Sequence, residues 1–440
     1  MDVRGRRVTV MGLGHFGGGL AAARWAAEQQ AIVTLSDAAD APALAEPLSQ
    51  LAGVPIAAMH LGGHCAADFE TADLLIVNPA VRPTNPWLAL AAGRGIPITT
   101  EIGLFIECCP AQVVGVTGSN GKSTTAAMTA AILRAAGRRT WLGGNLGGSL
   151  LPQLAGIRSN DWVVLELSSF QLWHLPAGTP MPQVAVVTNF APNHLDWHGT
   201  LDHYRAAKQR LIAEQDASGV AVHNPFDCDV TRWRPLAAGR VAEPWPLEQV
   251  PKLSVPGGHN RQNAALAAAA ARAVGCERAA IERGLAGFTG LPQRLERCAV
   301  VAGRQFYNDS TATTPDSAIA ALVSLPEPAW LLAGGRTKGC DFGPLAAVIV
   351  RRARGAAFYG ECRAELQRLV LARQPDFPCM ATERLDEALA WCFAQSAPGE
   401  AIVLSPGCAS TDQYQNFRQR GKRFVELADR LLYGNGPAKA

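Results

Sequence analysis

Three times along this chain a β-branched run ends in a glycine-rich turn and then gives way to an alanine-rich, helix-like stretch. Arg7-Val8-Thr9-Val10-Met11 leads into Gly12-Leu13-Gly14, Val113-Val114-Gly115-Val116 into Thr117 to Lys122, and Trp330-Leu331-Leu332-Ala333 into Gly334-Gly335. Strands that alternate with helices build parallel sheets covered by helices on both faces. The expected class is therefore α/β. At 440 residues the chain is too long for one core, and the three starts propose three domains, 1–109, 110–292 and 293–440, divided at the turns Cys109-Pro110 and Gly290 to Gln293.

Composition narrows the partners. With 48% hydrophobic and 18% charged residues the chain can bury sizeable cores and is not a disordered polymer. A net charge of +3 gives no support to a nucleic-acid surface. No apolar run approaches the ~20 residues that span a bilayer, and Met1 to Gly5 runs straight into a strand without a signal-peptide core. The eleven cysteines are scattered without a CxxC pair and read as free thiols of a reducing compartment. The expectation is a cytoplasmic protein with neither membrane nor nucleic-acid partners.

The strongest local signal is Thr117-Gly118-Ser119-Asn120-Gly121-Lys122-Ser123-Thr124, set between a strand and a helix-forming run from Ala126. Such a loop aims backbone N–H groups and a helix N-terminus at phosphate oxygens. Lys122 would neutralise the β/γ-phosphates of ATP and the Ser123 hydroxyl would ligate Mg²⁺. Gly12-Leu13-Gly14-His15-Phe16-Gly17, with Asp37 closing the next strand, is a formal G-x-G-x-x-G fingerprint. Alone it suggests a nicotinamide dinucleotide and an oxidoreductase, but the same turn holds any diphosphate.

Val116 stands where the general P-loop spacing has its first glycine. The form Thr-Gly-x-x-Gly-Lys-Ser resembles instead the Mur ligases and the related folylpolyglutamate synthetases. Further segments resemble the Mur ligase family in its own order over nearly the whole chain, and the N-terminal Rossmann-like region favours it over the folylpolyglutamate branch. Gly144-Asn145-Leu146-Gly147 is similar to a family turn that touches the muramoyl substrate, which implies a contact from Asn145. Leu165-Glu166-Leu167-Ser168-Ser169-Phe170-Gln171 closely resembles the segment of the glutamate-adding members. Glu166, a carboxylate at a strand end, suits a Mg²⁺ ligand, and Ser168 is implied at the substrate. In Asn189 to His198 the family pattern matches at His194 and Asp196, with Asn193 replacing the usual acid, and the resemblance implies that His194 helps bind a second Mg²⁺ or the acyl phosphate.

The resemblance carries on into the helix-like Tyr204 to Arg210, where Lys208 matches a lysine that becomes carbamylated and ligates metal. His259-Asn260-Arg261-Gln262-Asn263 implies Asn263 near ATP, with Asn260 equally readable as a helix cap. Leu291-Pro292-Gln293-Arg294 implies Arg294 at the γ-phosphate, although Gln293 replaces the usual histidine. In the N-terminal region the resemblance implies that Gly14, His15, Phe16, Asp37 and Asn78 hold the UDP of the substrate. In the last region it implies Asp309 beside the ATP ribose or Mg²⁺ shell, and Thr313, Lys338, Ser410, Thr411 and Phe417 around glutamate. The family lysine that commonly pairs with a glutamate carboxylate is Thr311 here; a hydroxyl donates one hydrogen bond but brings no charge.

The resemblance thus implies an N-terminal Rossmann-like domain for UDP, a central P-loop-type domain for ATP and Mg²⁺, and a C-terminal Rossmann-like domain for glutamate. Their product is a monomeric ATP-dependent ligase that adds glutamate to UDP-N-acetylmuramoyl-L-alanine. D-glutamate is expected from Ser410 to Phe417. L-glutamate is the alternative from His194-Leu195-Asp196-Trp197-His198 and from Asp309 to Pro315. A non-catalytic nucleotide-binding regulator would need a broken ATP site, and Lys122, Glu166, His194 and Lys208 are all present.

Overall fold

The structure, a computed structural model, describes residues 1–14, 17–337 and 339–432. The expected α/β class is found, with three sheets and helices between their strands. The chain divides into two compact units, one of Met1–Lys252 with Arg261–Gly287, the other of Leu253–Asn260 with the residues from Phe288 onward.

The first unit holds two sheets. One is parallel, in the spatial order Ala58–Leu61, Ile32–Asp37, Arg7–Met11, Leu74–Val77, Ile98–Thr99. Its order reverses between Arg7–Met11 and Leu74–Val77, so the crevice for a ligand opens beyond their carboxyl ends, at Gly12 and Asn78. The second sheet, also parallel, runs Arg240–Ala242, Val220–His223, Val184–Val187, Gln112–Thr117, Trp162–Glu166, Thr140–Gly144. Its central strands are continuous apolar runs because both faces are covered: Val114, Val116, Val164, Leu165 and Val186 have no exposed surface. Each such side chain contributes about 1.5–3 kcal/mol on burial.

Helix Lys122–Ala135 covers this sheet with Ala126, Met128, Ala130, Ile132 and Leu133. Helix Arg278–Ala286 lies against it, close enough that a Cβ on Gly284 would stand 2.5 Å from the Ile132 Cα. The loop after Leu74–Val77 is tied to the second sheet's surroundings by two donors: His174 Nε2 lies 2.9 Å from the Val81 carbonyl and the Trp197 indole donates to Ala80 at 3.0 Å.

The second unit is built on one mixed sheet, Glu296–Val301, Arg304–Asn308, Ala401–Leu404, Ala329–Gly334, Ala353–Tyr359, Cys379–Ala381. Only the first pair is antiparallel. Ala401–Leu404 comes late in the chain yet sits between Arg304–Asn308 and Ala329–Gly334. That insertion brings Asp309, Ser405 and Gly335, each just past a strand's carboxyl end, into one place.

Candidate active site

The phosphate loop is built as the sequence suggests, and each glycine has a physical reason. Gly118 has φ 144°, and a Cβ there would lie 1.9 Å from the Thr188 hydroxyl. Gly121 has φ 78° and would collide with the Asn263 amide at 2.5 Å. Gly121 precedes helix Lys122–Ala135 without any side-chain cap, so the first N–H groups of that helix face the loop. The loop is braced from outside. The Ser119 hydroxyl donates to the Ala191 carbonyl at 2.9 Å and lies 2.9 Å from the Tyr204 hydroxyl, while Asn120 and Asn189 exchange bonds of 2.8 and 2.9 Å. Lys122 Nζ donates to the Ser119 carbonyl at 2.7 Å, which folds the ammonium back over the loop. Thr124 follows, half-buried, in the first turn.

Glu166 closes its strand 98% buried, with both oxygens used. Ser123 Oγ donates to one oxygen at 2.5 Å and the Asn145 amide to the other at 2.6 Å. A hydroxyl and a carboxylate are the hard oxygen donors that suit Mg²⁺, so this pair fits the expected ion. Asn145, foreseen at the substrate, is brought to the same carboxylate. Ser168 begins helix Ser169–Trp173 and forms a reciprocal cap with Gln171, so its hydroxyl already serves the helix end.

Lys208 is 1% exposed, donates to the Gly118 carbonyl at 2.7 Å and holds its Nζ 4.6 Å above the Tyr204 ring. Burial first, and the Lys122 charge second, hold its pKa well below the ordinary lysine value, while Glu166 opposes the shift. A lysine so placed gives up its proton more readily than an exposed one. His194 lies at the surface in a left-handed conformation, φ 55°, with its ring edge-on to Phe170 at 4.8 Å. Behind it, His198 Nδ1 lies 2.7 Å from His203 Nδ1, and burial holds His198 down to about 4. Asn263 is buried beside Gly121, whereas Asn260 sits inside helix Gly258–Ala273 and donates back to Pro256 at 2.6 Å, so it is not the helix's N-terminal cap.

In the N-terminal sheet, Asp37 does structural work for the turn. Its carboxylate accepts from Leu13 N at 2.8 Å and Ala39 N at 2.9 Å. Asn78 fills the space that Cβ atoms on Gly12 and Gly14 would need, at 2.8 and 2.6 Å. The close helix–strand approach belongs to Gly19, whose Cβ would stand 2.3 Å from the Gly12 carbonyl, and not to Gly17, which faces open space. His15 and Phe16, and Lys338 in the second unit, lie outside the described residues.

In the second unit, Asp309 is 8% exposed and holds the Arg294 segment: its oxygens accept from Leu295 N at 3.0 Å and Ser405 Oγ at 2.7 Å. Burial pushes its carboxyl up to about 7 against these bonds. Arg294 itself is exposed. Thr311 Oγ1 donates to the Gln293 carbonyl at 2.8 Å. Ser410 is buried, Thr313 and Phe417 are half-buried and Thr411 is exposed. Sequence reasoning missed Arg420. It is fully buried and donates to Ser310 Oγ, the Cys408 carbonyl and the Ser310 carbonyl at 3.1, 3.1 and 2.9 Å. Among the described residues no carboxylate pairs with it. Its one signal in the sequence was a place within the first turn after Phe417.

Comparison with known proteins agrees with this geometry. Residues 6–100 match the family description Mur ligase MurD-like, N-terminal domain, and residues 116–243 match the Mur ligase middle domain. The UDP-N-acetylmuramoylalanine--D-glutamate ligase of Symbiobacterium thermophilum is 36% identical, across 97% of this chain and 98% of its own length. The protein of the same name from Geobacter metallireducens is 33% identical, across 99% and 100%. Among solved structures, the UDP-N-acetylmuramate-alanine ligase of Thermotoga maritima is alike in fold, with a TM-score of 0.61 at 20% identity, covering 96% of this chain and 98% of that one. A braced phosphate loop, a strand-end glutamate on its serine and this likeness over nearly the full length lead to one assignment: the chain belongs to the Mur ligase family.

Proposed function

We propose that this chain is an ATP-dependent ligase that joins D-glutamate to UDP-N-acetylmuramoyl-L-alanine in the synthesis of peptidoglycan precursors in the cytoplasm. The observation that carries the reading is the group Lys122, Ser123, Glu166 and Lys208 around one phosphate loop. The names of relatives at 32–36% identity support glutamate as the amine and its D form.

Amide formation from a carboxylate needs an activated acyl group. The alanyl carboxylate attacks the γ-phosphorus of ATP, releasing ADP and leaving an acyl phosphate. The glutamate amine then attacks the acyl carbon, loses a proton, and phosphate departs with the C–O bond. The loop N–H groups and Lys122 bind the β/γ-phosphates. Ser123 and Glu166 would hold Mg²⁺, which supplies positive charge against the phosphates when bound. Lys208, held towards its neutral form, is the amine that takes up CO₂; the carbamate turns a would-be cation into an oxygen donor. His194 and Asn263 serve the same nucleotide end, and Arg294 and Asp309 the ATP side of the second unit.

The division of labour follows the domains 1–109 for UDP, 110–292 for ATP and 293–440 for glutamate, in a chain that works as a monomer on small molecules. Gly14, Asp37 and Asn78 line the UDP turn. Thr313, Ser410 and Phe417 line the glutamate site, where Arg420 supplies the positive charge that Thr311 lacks. The test is phosphate release from ATP with UDP-N-acetylmuramoyl-L-alanine and either enantiomer of glutamate. Turnover with D-glutamate alone supports the proposal, turnover with L-glutamate alone moves the chain to the other stereochemistry, and silence with both rejects the substrate.

A further inference from the structure

A second cluster of metal-ligating side chains lies outside the phosphate loop, at the edge of the N-terminal sheet. His60 is on the edge strand Ala58–Leu61, Cys65 immediately precedes helix Ala66–Glu70, and Asp68 is in that helix's first turn. The His60 ring, the Cys65 sulfur and an Asp68 oxygen all lie within 4.8 Å of one another. His60 Nδ1 and Asp68 Oδ2 are 2.7 Å apart. A tetrahedral ion with bonds of about 2.0–2.3 Å to N, O and S spaces its donors by roughly 3.3–3.8 Å. The three donor atoms thus stand close to the spacing that such an ion requires.

Their frame is fixed. The segment between His60 and Cys65 is pinned by Gly62 N on the Ala39 carbonyl at 2.8 Å and Gly63 N on the Asp37 carbonyl at 3.2 Å. His64 sits 2.9 Å from the Ser36 hydroxyl and packs edge-on against Phe69 and Trp87. The Asp68 carbonyl accepts from Thr9 Oγ1 at 2.8 Å, and its side chain is only 8% exposed, while that of His60 is 43% exposed and open to solvent.

We propose that His60, Cys65 and Asp68 form a binding site for a borderline-soft divalent transition metal of the zinc class, with a fourth position left for water or a small anion. One nitrogen, one thiolate and one carboxylate select zinc, cobalt or nickel and reject Mg²⁺, which prefers an all-oxygen shell. The donor set thus separates this site from Ser123 and Glu166, and the proposal does not depend on the ligase reading.

The test is titration of the chelator-treated full chain with Co²⁺ in saturating Mg²⁺, which keeps the oxygen site filled. The expected result is one Co²⁺ per chain with a thiolate-to-cobalt charge-transfer band and the intense visible bands of a tetrahedral ion, all erased by one equivalent of Zn²⁺. Cys65→Ser removes the charge-transfer band, His60→Ala weakens binding at least about tenfold, and Cys228→Ser, a change at an exposed thiol, alters nothing. Matching circular dichroism and urea midpoints of the metal-free variants show that the fold is kept. A wild-type chain without the band, or a Cys65→Ser chain that retains it, overturns the site.

Discussion

Replacing Asp309 by Asn tests whether a buried acid holds the Arg294 segment at a cost that depends on pH. The carboxyl has an ordinary value of 3.8 and is pushed up to about 7, chiefly by burial, despite bonds from Ser405 and Leu295 and the neighbouring charges of Arg294 and Arg420. The folded state therefore keeps its proton longer than the unfolded chain does. Stability from this group is fully present below 3.8 and is lost as pH rises through 7. At about 1.4 kcal/mol for each pH unit between those values, the loss amounts to about 4 kcal/mol at pH 8. Asn keeps an oxygen for Leu295 N, and its amide can donate to Ser405 Oγ, so the variant preserves the geometry without the ionisation. Urea unfolding of the full chain from pH 4 to pH 8, wild type against Asp309→Asn, isolates the effect because other titrating groups cancel. The variant is expected to match the wild type near pH 4 and to exceed it by up to about 4 kcal/mol at pH 8. Two curves that stay parallel across the range would refute the reasoning.

Three further outcomes follow from the site geometry. Gly118→Ala meets both an unfavourable φ and the Thr188 hydroxyl; it should lower stability by at least about 1–3 kcal/mol and abolish ATP binding, read by melting and by a fluorescent nucleotide. In CO₂-free buffer, wild-type stability should rise with pH towards 10.5, because the unfolded Lys208 binds a proton that the folded one gives up. Lys208→Met should lack that slope of up to about 1.4 kcal/mol per pH unit, and equal slopes in urea titrations would count against a neutral lysine. Arg420→Met should raise the KM for glutamate at least tenfold with little change for ATP, at a stability cost of about 1–3 kcal/mol for the carbonyls of Ser310 and Cys408 left without donors; an unchanged glutamate KM would place the charge elsewhere.

The α/β class and the phosphate loop were legible because they depend on order along the chain. Val113 to Val116 needs apolar side chains on both faces, and Gly118 and Gly121 need freedom from a Cβ. These are local demands, and local sequence states them. Roles that depend on distant partners were not legible. Asp37 is expected at the UDP, but the sequence does not show that its two oxygens also hold Leu13 N and Ala39 N. Ser168 looks like a substrate contact and caps a helix. Tyr204 drew attention only as a neighbour of Lys208, although its hydroxyl braces Ser119 and its ring lies under the lysine. The close helix–strand packing falls on Gly19, which lies outside the fingerprint spacing.

Thr311 shows why motif matching misjudges charge. Position by position, a lysine is lost at 311, and Lys338, the cation expected beside glutamate, lies outside the described residues. In the fold, the Thr311 hydroxyl is bound to the Gln293 carbonyl, so that position is spent on fixing the loop beside Asp309. Arg420, on helix Phe417–Leu432, is the cation proposed to stand in for the lost lysine; its burial is complete and its bonded partners are neutral carbonyls and a hydroxyl. Burying a guanidinium without a carboxylate is costly, and neutral acceptors offset that cost only in part. An arriving carboxylate would offset more of it, because Coulomb attraction is stronger where water is scarce. A cation fixed by three backbone and hydroxyl bonds also loses less side-chain freedom on binding than a flexible lysine does. Under that proposal, a mobile charge at 311 is exchanged for a fixed one at 420, which would keep the attraction for an acidic amino acid while making its geometry stricter, the property that discrimination between two enantiomers requires.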